Sequence, residues 1–412
     1  MDCPISAYLH IPFCHRRCFY CDFPIVPLGD RAGGELGPGS NSIKAYLKLL
    51  HREIDLFQNG SPLSTVYIGG GTPSLLTSSQ LFKLLDHLKR KFGLQYGAEI
   101  TLEIDPASFD QNSLIGFLDA GVNRISLGAQ SFDNNVLAQL GRRHNSKNVF
   151  ESCNWINESF RKGDLFSWSL DLIQNLPEQT LIDWKNQLMK AINFSPPHLS
   201  IYDLSIEKGT VFDWRKKRGE LSLPSQDLAA DMSMLTSETL RKEGFSRYEI
   251  SNYALPGHSS RHNRVYWSGA EWLGFGQGAT SYFYRKRFSR PKTREGYKRW
   301  IEQLEKQGIK SFFEKSNEVE KINLDDLLIV GLRRREGVNI GELLSQWGWD
   351  KKQVNENLKS LKRYWKKFID MGLLKQNGTR FKLTDPEGME LSNQILVEML
   401  FWWDSLSDSP NL

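Results

Sequence analysis

The chain has 412 residues, 40% hydrophobic and 25% charged, a globular balance that excludes a disordered or fibrous polypeptide and is too long for one ordinary domain. Its 53 Lys and Arg against 48 Asp and Glu leave +5, too mild an excess to point to nucleic acid. No apolar run approaches the ~18 residues of a membrane-spanning helix, five cysteines do not suit a disulfide scaffold, and Met1-Asp2-Cys3-Pro4 lacks a secretory start, so a soluble, cytoplasmic protein of two or more domains is expected.

The first predicted strand is Ala7–Ile11, and three cysteines follow it directly. The Gly-rich stretch Asp30–Ser42 reads as a mobile surface loop. Ile43, Tyr46, Leu47 and Leu50 then form an apolar stripe at helical spacing, as do Leu81, Leu84, Leu85 and Leu88 farther on. Between and after the two stripes come the β-rich runs Thr65–Gly69, Glu99–Asp105, Arg124–Gln130, Trp168–Ile173 and His198–Leu204. Six βα units in series predict an α/β fold with a parallel sheet and right-handed crossovers. Six units fall short of the eight of a full barrel, so the expected core is an incomplete (β/α)6 TIM-like barrel over residues 1–230.

From about Asp231 the alternation fades. A connecting region, 231–322, carries an aromatic, Gly-rich section and a basic run, Arg285–Arg294. Residues 323–412 read as mostly helical, ending in a hairpin turned at Asn377-Gly378, a winged-helix-like arrangement.

The strongest chemical signal is Cys14-His-Arg-Arg-Cys18-Phe-Tyr-Cys21, a C-x3-C-x2-C run in one loop. Thiolates at these spacings suit an iron–sulfur cluster or zinc. A 4Fe–4S cube held by three cysteines keeps one iron open for chemistry. A structural zinc would need a fourth ligand, for which His10 or His15 is available. Three unliganded core thiols are the third reading, poorly served by Pro12 and two arginines.

The second strand runs into Gly69-Gly70-Gly71-Thr72-Pro73. Glycines let backbone approach a ligand, although a plain tight turn reads the same way, and the Lys-Ser/Thr ending of a phosphate loop is absent. Glu103, Gln130 and Asp171 recur at strand ends, where βα barrels build their binding face. Asp105-Pro106 reads as a turn. A carboxylate such as Glu103 can accept two ribose hydroxyls, and Arg142 can pair with a carboxylate.

The cysteine run resembles the signature of the radical S-adenosylmethionine (SAM) superfamily. The resemblance implies that Cys14, Cys18 and Cys21 ligate a 4Fe–4S cluster whose open iron chelates SAM. In that family one electron then cleaves the sulfonium to methionine and a 5′-deoxyadenosyl radical. Cys3 and Cys153 lie outside the motif. Tyr8, LEIDP, NRISLGAQSF, LGR around Arg142 and SLDLIQNLPEQT narrow the resemblance to the anaerobic coproporphyrinogen III oxidase branch. It implies SAM contacts, with one or two molecules, from Tyr8, Gly70, Gly71, Thr72, Glu103, Gln130, Arg142 and Asp171, with Tyr20 near the second.

Two departures from the oxidase stand out: Cys21-Asp22-Phe23 lacks its fourth cysteine, and Tyr8 leaves no room for its N-terminal extension. His262-Asn263-Arg264-Val265-Tyr266-Trp267 is instead similar to the H-N-x-x-Y-W marker of the haem-chaperone subgroup, HemW. That subgroup implies haem as cargo, haem-accepting proteins and a reductant as partners, and no oxidase activity. His262 then either ligates haem iron, with Tyr266 and Trp267 stacking on the porphyrin, or packs the barrel. Arg285, Lys286, Arg287 and Arg290 either meet haem propionates or anionic lipid at a peripheral membrane contact, or form a solvated loop. A homodimer is compatible with the sequence. The oxidase reaction is the alternative function. A zinc-containing winged-helix nucleic-acid binder, using Lys359, Lys362, Arg363, Lys366 and Lys367, is a remote one, and no nucleic-acid partner is expected.

Overall fold

The structure, a computed structural model, describes residues 4–29, 38–57, 60–309, 311–312 and 320–406. It divides into two compact units built from non-contiguous stretches. The first comprises Met1–Pro224, Ser260–His262 and Glu271–Lys321; the second comprises Ser225–Ser259, Asn263–Ala270 and Ile322–Leu412. Residues 231–322 are thus shared between the units and do not form a body of their own.

The six expected strands are present in the first unit as β1 (Ser6–Ile11), β2 (Leu63–Gly70), β3 (Leu94–Ile104), β4 (Arg124–Gln130), β5 (Ser167–Gln174) and β6 (His198–Asp203). Each pairs in parallel with the next, and helices cross over between them. A seventh strand, β7 (Leu273–Phe275), pairs in parallel with the free side of β1. Sequence reading missed β7 because three residues cannot display an alternating pattern. β3 begins five residues before the expected Glu99, since Leu94–Ala98 carries two exposed polar or aromatic positions and a glycine.

The helical stripes behave as expected. Ile43, Tyr46, Leu47 and Leu50 are buried on α1 (Pro38–Leu56), and Leu81, Leu84, Leu85 and Leu88 on α2 (Ser78–Phe92). A capping box between Thr77 and Gln80 starts α2, and Gly93 in positive φ follows it. Of the expected Gly-rich loop, residues 30–37 lie outside the described residues, as does Cys3, and 38–42 belong to α1. Pro38 at its first position suits a helix start, because no backbone N–H is needed there.

Alternation along the strands decides what the barrel encloses. On β3, Ile100, Leu102 and Ile104 are buried apolar residues, while Glu99, Thr101 and Glu103 form a polar column on the other face. On β2 the corresponding column is Thr65, Tyr67 and Gly69. The lumen is therefore lined by groups that need hydrogen-bond partners.

The basic run differs from expectation. Lys286–Ser289 is a strand paired antiparallel with Thr280–Phe283. Arg290 is not a surface cation: its Nε lies 2.7 Å from Glu53 on α1, and both side chains are fully enclosed. Glu53 also accepts from Tyr297 Oη (2.5 Å) and the Gly276 N–H (2.7 Å). A charged pair this deep persists only when both groups are also hydrogen-bonded.

In the second unit, a helix (Gln226–Lys242) precedes an antiparallel hairpin of Ser246–Glu249 with Asn252–Ala254. The C-terminal part packs its helices around Leu328, Leu358, Leu361, Trp365, Phe381 and Met399. Its strands Leu374–Asn377 and Arg380–Leu383 form the expected hairpin, with Val338–Asn339 as a third strand. The turn is Gly378-Thr379 rather than Asn377-Gly378, because Asn377 pairs with Arg380 and Gly378 supplies the positive φ at the first central position. Among the described residues no helix is long and apolar enough to cross a membrane.

Candidate functional site

One cavity of about 440 Å³ opens in the first unit at the C-terminal ends of the strands. It is lined by all three cysteines of the loop, Tyr20, Gly70, Gly71, Thr72, Glu103, Gln130, Arg142 and Asp171. Of the residues expected to contact SAM, Tyr8 alone does not line it. Its hydroxyl lies 3.0 Å from His10 Nδ1, and its ring stacks on Tyr67 behind the cavity wall.

The cysteine loop leaves β1 through Pro12 and is tied down by backbone bonds. The Phe19 N–H donates to Leu140 O (3.0 Å) and the Cys21 N–H to Cys18 O (3.2 Å). Burial pushes the Cys14 thiol up to about 12, against a hydrogen bond from Thr72 Oγ1 at 3.5 Å. Burial raises the Cys21 thiol too. Such thiols are poor free nucleophiles, and a cationic centre that takes them as thiolates relieves the cost.

The glycines of the second strand end are shaped for close approach. A Cβ on Gly71 would stand 2.6 Å from Phe13 O and 2.9 Å from Cys14 Sγ. Gly70 has φ +119°, and a Cβ there would meet the His10 ring at 2.7 Å. The Gly70 N–H donates to Glu103 Oε2 (2.9 Å), and Tyr67 Oη donates to Oε1 (2.8 Å). Burial raises the Glu103 carboxyl to about 7 despite these two donors.

Asp171, on β5, lines the same cavity. Ser126 and Ser169 hydroxyls donate to its two oxygens at 2.7 Å each, and burial raises its carboxyl. Gln130 adopts φ 66° at a bulge in β4, a conformation uncommon for a residue with a side chain. Backbone held this way at a cavity edge is characteristic of functional sites.

Arg142 joins the parts. Its Nη2 lies 2.5 Å from Asp105 Oδ2 and 2.9 Å from Gly128 O, and its Nη1 reaches Tyr20 Oη (3.4 Å) and Cys18 Sγ (3.5 Å). Burial works to raise the Asp105 carboxyl, yet Arg142 and His144 hold it well below the usual carboxylate range. Asp105 is the strand-end residue whose site role the sequence reading set aside in favour of a turn. Its Oδ1 does accept from Ala107 N–H in a turn, as the Asp-Pro pair suggested, but its Oδ2 orients Arg142. It continues the column Glu99, Thr101, Glu103 with the same period of two, which was the signal available.

These donors discriminate among the sequence-level alternatives. The three thiols line a cavity and are part-exposed, so they are not inert core thiols. Among the described residues no three Cys, His, Asp or Glu side chains converge tightly enough to hold one metal ion. His10 is engaged by Tyr8 and by Pro24 O (3.2 Å), and His15 Nδ1 faces Gly29 O (3.2 Å). Three thiols lining one cavity suit a thiolate-bound centre, and the radical SAM resemblance implies that it is the iron–sulfur cluster.

None of the H-N-x-x-Y-W residues lines the cavity. His262 has no exposed surface; its Nδ1 is 2.8 Å from Thr65 Oγ1 and its ring stacks on Tyr67 at 5.2 Å. Burial, reinforced by Arg124, lowers its imidazole to about 3. The enclosed ring presents no nitrogen to solvent. Trp267 hydrogen-bonds the buried Glu249 within the second unit, where burial raises that carboxyl to about 8.

Residues 8–186 match the radical SAM superfamily. The chain is 43% identical over 406 residues to the heme chaperone HemW of Synechocystis sp., covering 95% of each protein. It is 34% identical over 398 residues to heme chaperone HemW of Lactococcus lactis, covering 96% of this chain and 97% of that one. Among solved structures, coproporphyrinogen III oxidase (HemN) of Escherichia coli, a radical SAM enzyme, superposes with a TM-score of 0.77 over 96% of this chain and 90% of its own, at 22% identity. At that identity the likeness speaks to the fold alone. Relatives matched at this identity along nearly their whole length place the chain in the HemW heme-chaperone family of the radical SAM superfamily.

Proposed function

We propose that this protein is a cytoplasmic haem chaperone that holds a 4Fe–4S cluster and SAM in its barrel and delivers haem to target proteins. The observation that carries the reading is the convergence on one cavity of three thiols, a glycine cradle and the Asp105–Arg142 pair. Near-complete coverage of relatives named heme chaperone directs the cargo toward haem. When bound, the cluster supplies one-electron reducing chemistry at an iron without a cysteine ligand.

Each residue has a definable task in that reading. Cys14, Cys18 and Cys21 hold the cluster. Gly70 and Gly71 bring backbone N–H and C=O groups within reach of an amino-acid ligand, and Thr72 fixes Cys14. Glu103, with both oxygens already oriented by donors, accepts ribose hydroxyls. Arg142 lies near Tyr20 and Cys18, where its charge stabilises thiolate. Cys21 is followed by Asp22 and Phe23, the latter more than half exposed, so no fourth thiol stands where the oxidase has one.

The deciding experiment uses anaerobically reconstituted full-length protein with SAM. It should bind haem and pass it to an apo-haemoprotein, and leave coproporphyrinogen III unchanged. Formation of protoporphyrinogen IX without haem binding would establish the oxidase reading instead.

A further inference from the structure

We propose that His262 is a positioning residue for the SAM-binding carboxylate, acting through Tyr67, and is not a ligand to haem iron; the inference rests on the reading that Glu103 contacts SAM. His262 is the second residue of a helix, Arg261–Ser268, whose first turn is fixed at the N-terminal ends of the barrel strands. The backbone N–H groups of Arg261 and His262 donate to the two oxygens of Glu99, each at 2.9 Å. A carboxylate at a helix N-terminus is favoured by the dipole as well as by the orphan N–H groups.

From this fixed turn the imidazole is held on two sides. Thr65 Oγ1 engages Nδ1, and the ring lies on Tyr67 with planes 27° apart. Thr65 and Tyr67 are two residues apart on β2 and so share a face. Tyr67 in turn donates to Glu103 Oε1, while Glu99 and Glu103 belong to one column of β3. Two adjacent strands and the start of this helix thus form a continuous column: Glu99, His262 and Thr65 at its foot, Tyr67 in the middle, Glu103 at the cavity. The plane of the Glu103 carboxylate is set before any ligand arrives, which lowers the cost of ordering it on binding.

The same enclosure argues against iron ligation. A porphyrin is a broad, flat group, and reaching a fully buried imidazole would require opening the foot of the barrel. Truncating the imidazole would leave a void beneath the Tyr67 ring, and the ring would settle toward it, away from Glu103.

The test measures SAM affinity by equilibrium dialysis and haem affinity by spectral titration on reconstituted full-length protein, with iron content as control. His262→Ala should weaken SAM binding about 10-fold, the size of one lost hydrogen bond to a charged group, and leave haem affinity within about 2-fold. His262→Phe keeps the stacked ring but cannot ligate a metal, and should recover most of the SAM affinity. Tyr67→Phe removes only the hydroxyl and should match the alanine variant in SAM affinity; it serves also where the latter fails to fold. Unchanged SAM affinity in both His262→Ala and Tyr67→Phe would overturn the proposal, as would loss of haem binding in both His262 variants. Unsubstituted protein that binds no SAM would instead overturn the reading of Glu103, and this inference with it.

Discussion

The Asp105 carboxylate and the Arg142 guanidinium meet at 2.5 Å on the cavity wall, with side chains 20% and 12% exposed. Because the same guanidinium also reaches Tyr20 and Cys18, the pair sets the charge beside the cysteine loop. Asp105→Asn should leave a largely buried cation uncompensated. The expected cost is about 3 kcal/mol, read from urea unfolding at neutral pH. Unfolding indistinguishable from that of the parent would mean that Gly128 O and Tyr20 Oη suffice to hold Arg142.

Cys18→Ser should prevent stable cluster assembly. After anaerobic reconstitution the variant should carry little iron or sulfide and lack the brown absorption of the parent. Retention of the full complement would remove Cys18 from the ligand set.

Gly71→Ala should be the most damaging small substitution in the glycine run. Its new methyl group would need to share space with Phe13 O and Pro12 C, both backbone atoms that cannot swing aside, and with Cys14 Sγ. Strain of this kind typically costs about 1–3 kcal/mol. Cluster occupancy per protein and thermal midpoint should both drop; if only the midpoint drops, the glycine serves folding rather than the ligand.

Glu103 makes stability depend on pH. Its folded carboxyl is raised to about 7 from an unfolded value of 4.5, so between these values the folded state binds more protons than the unfolded one. Stability from this group is therefore present at low pH and is lost as pH rises through 7, by up to about 3 kcal/mol. Glu103→Gln should unfold at higher denaturant than the parent at pH 8 and show little gain at pH 5, while binding SAM more weakly. An equal shift at both pH values would show that the carboxyl ionises freely.

Much of the barrel was legible because its strands are short apolar runs and its helices carry clean stripes. Ile43 with Leu50, or Leu81 with Leu88, could only share a buried helix face. The cluster loop was legible because three cysteines at short spacing have few chemical uses. Pairings across long stretches of chain were not. Arg290 resembled its exposed neighbours until Glu53, 237 positions away, enclosed it. Asp105 was hidden behind Pro106, a pairing that signals a turn whether or not the carboxylate also holds an arginine. His262 sat in a motif whose pattern does not say which side of a barrel wall it occupies. In each case the missing information was a tertiary partner.

Glu53 and Arg290 meet where dissolved ions do not penetrate. Exposed pairs such as Arg52–Glu305 weaken as counterions accumulate around them, whereas this one lies beyond the reach of Debye screening. The join it makes between α1 and the chain around β7 should therefore hold equally in dilute buffer and in brine.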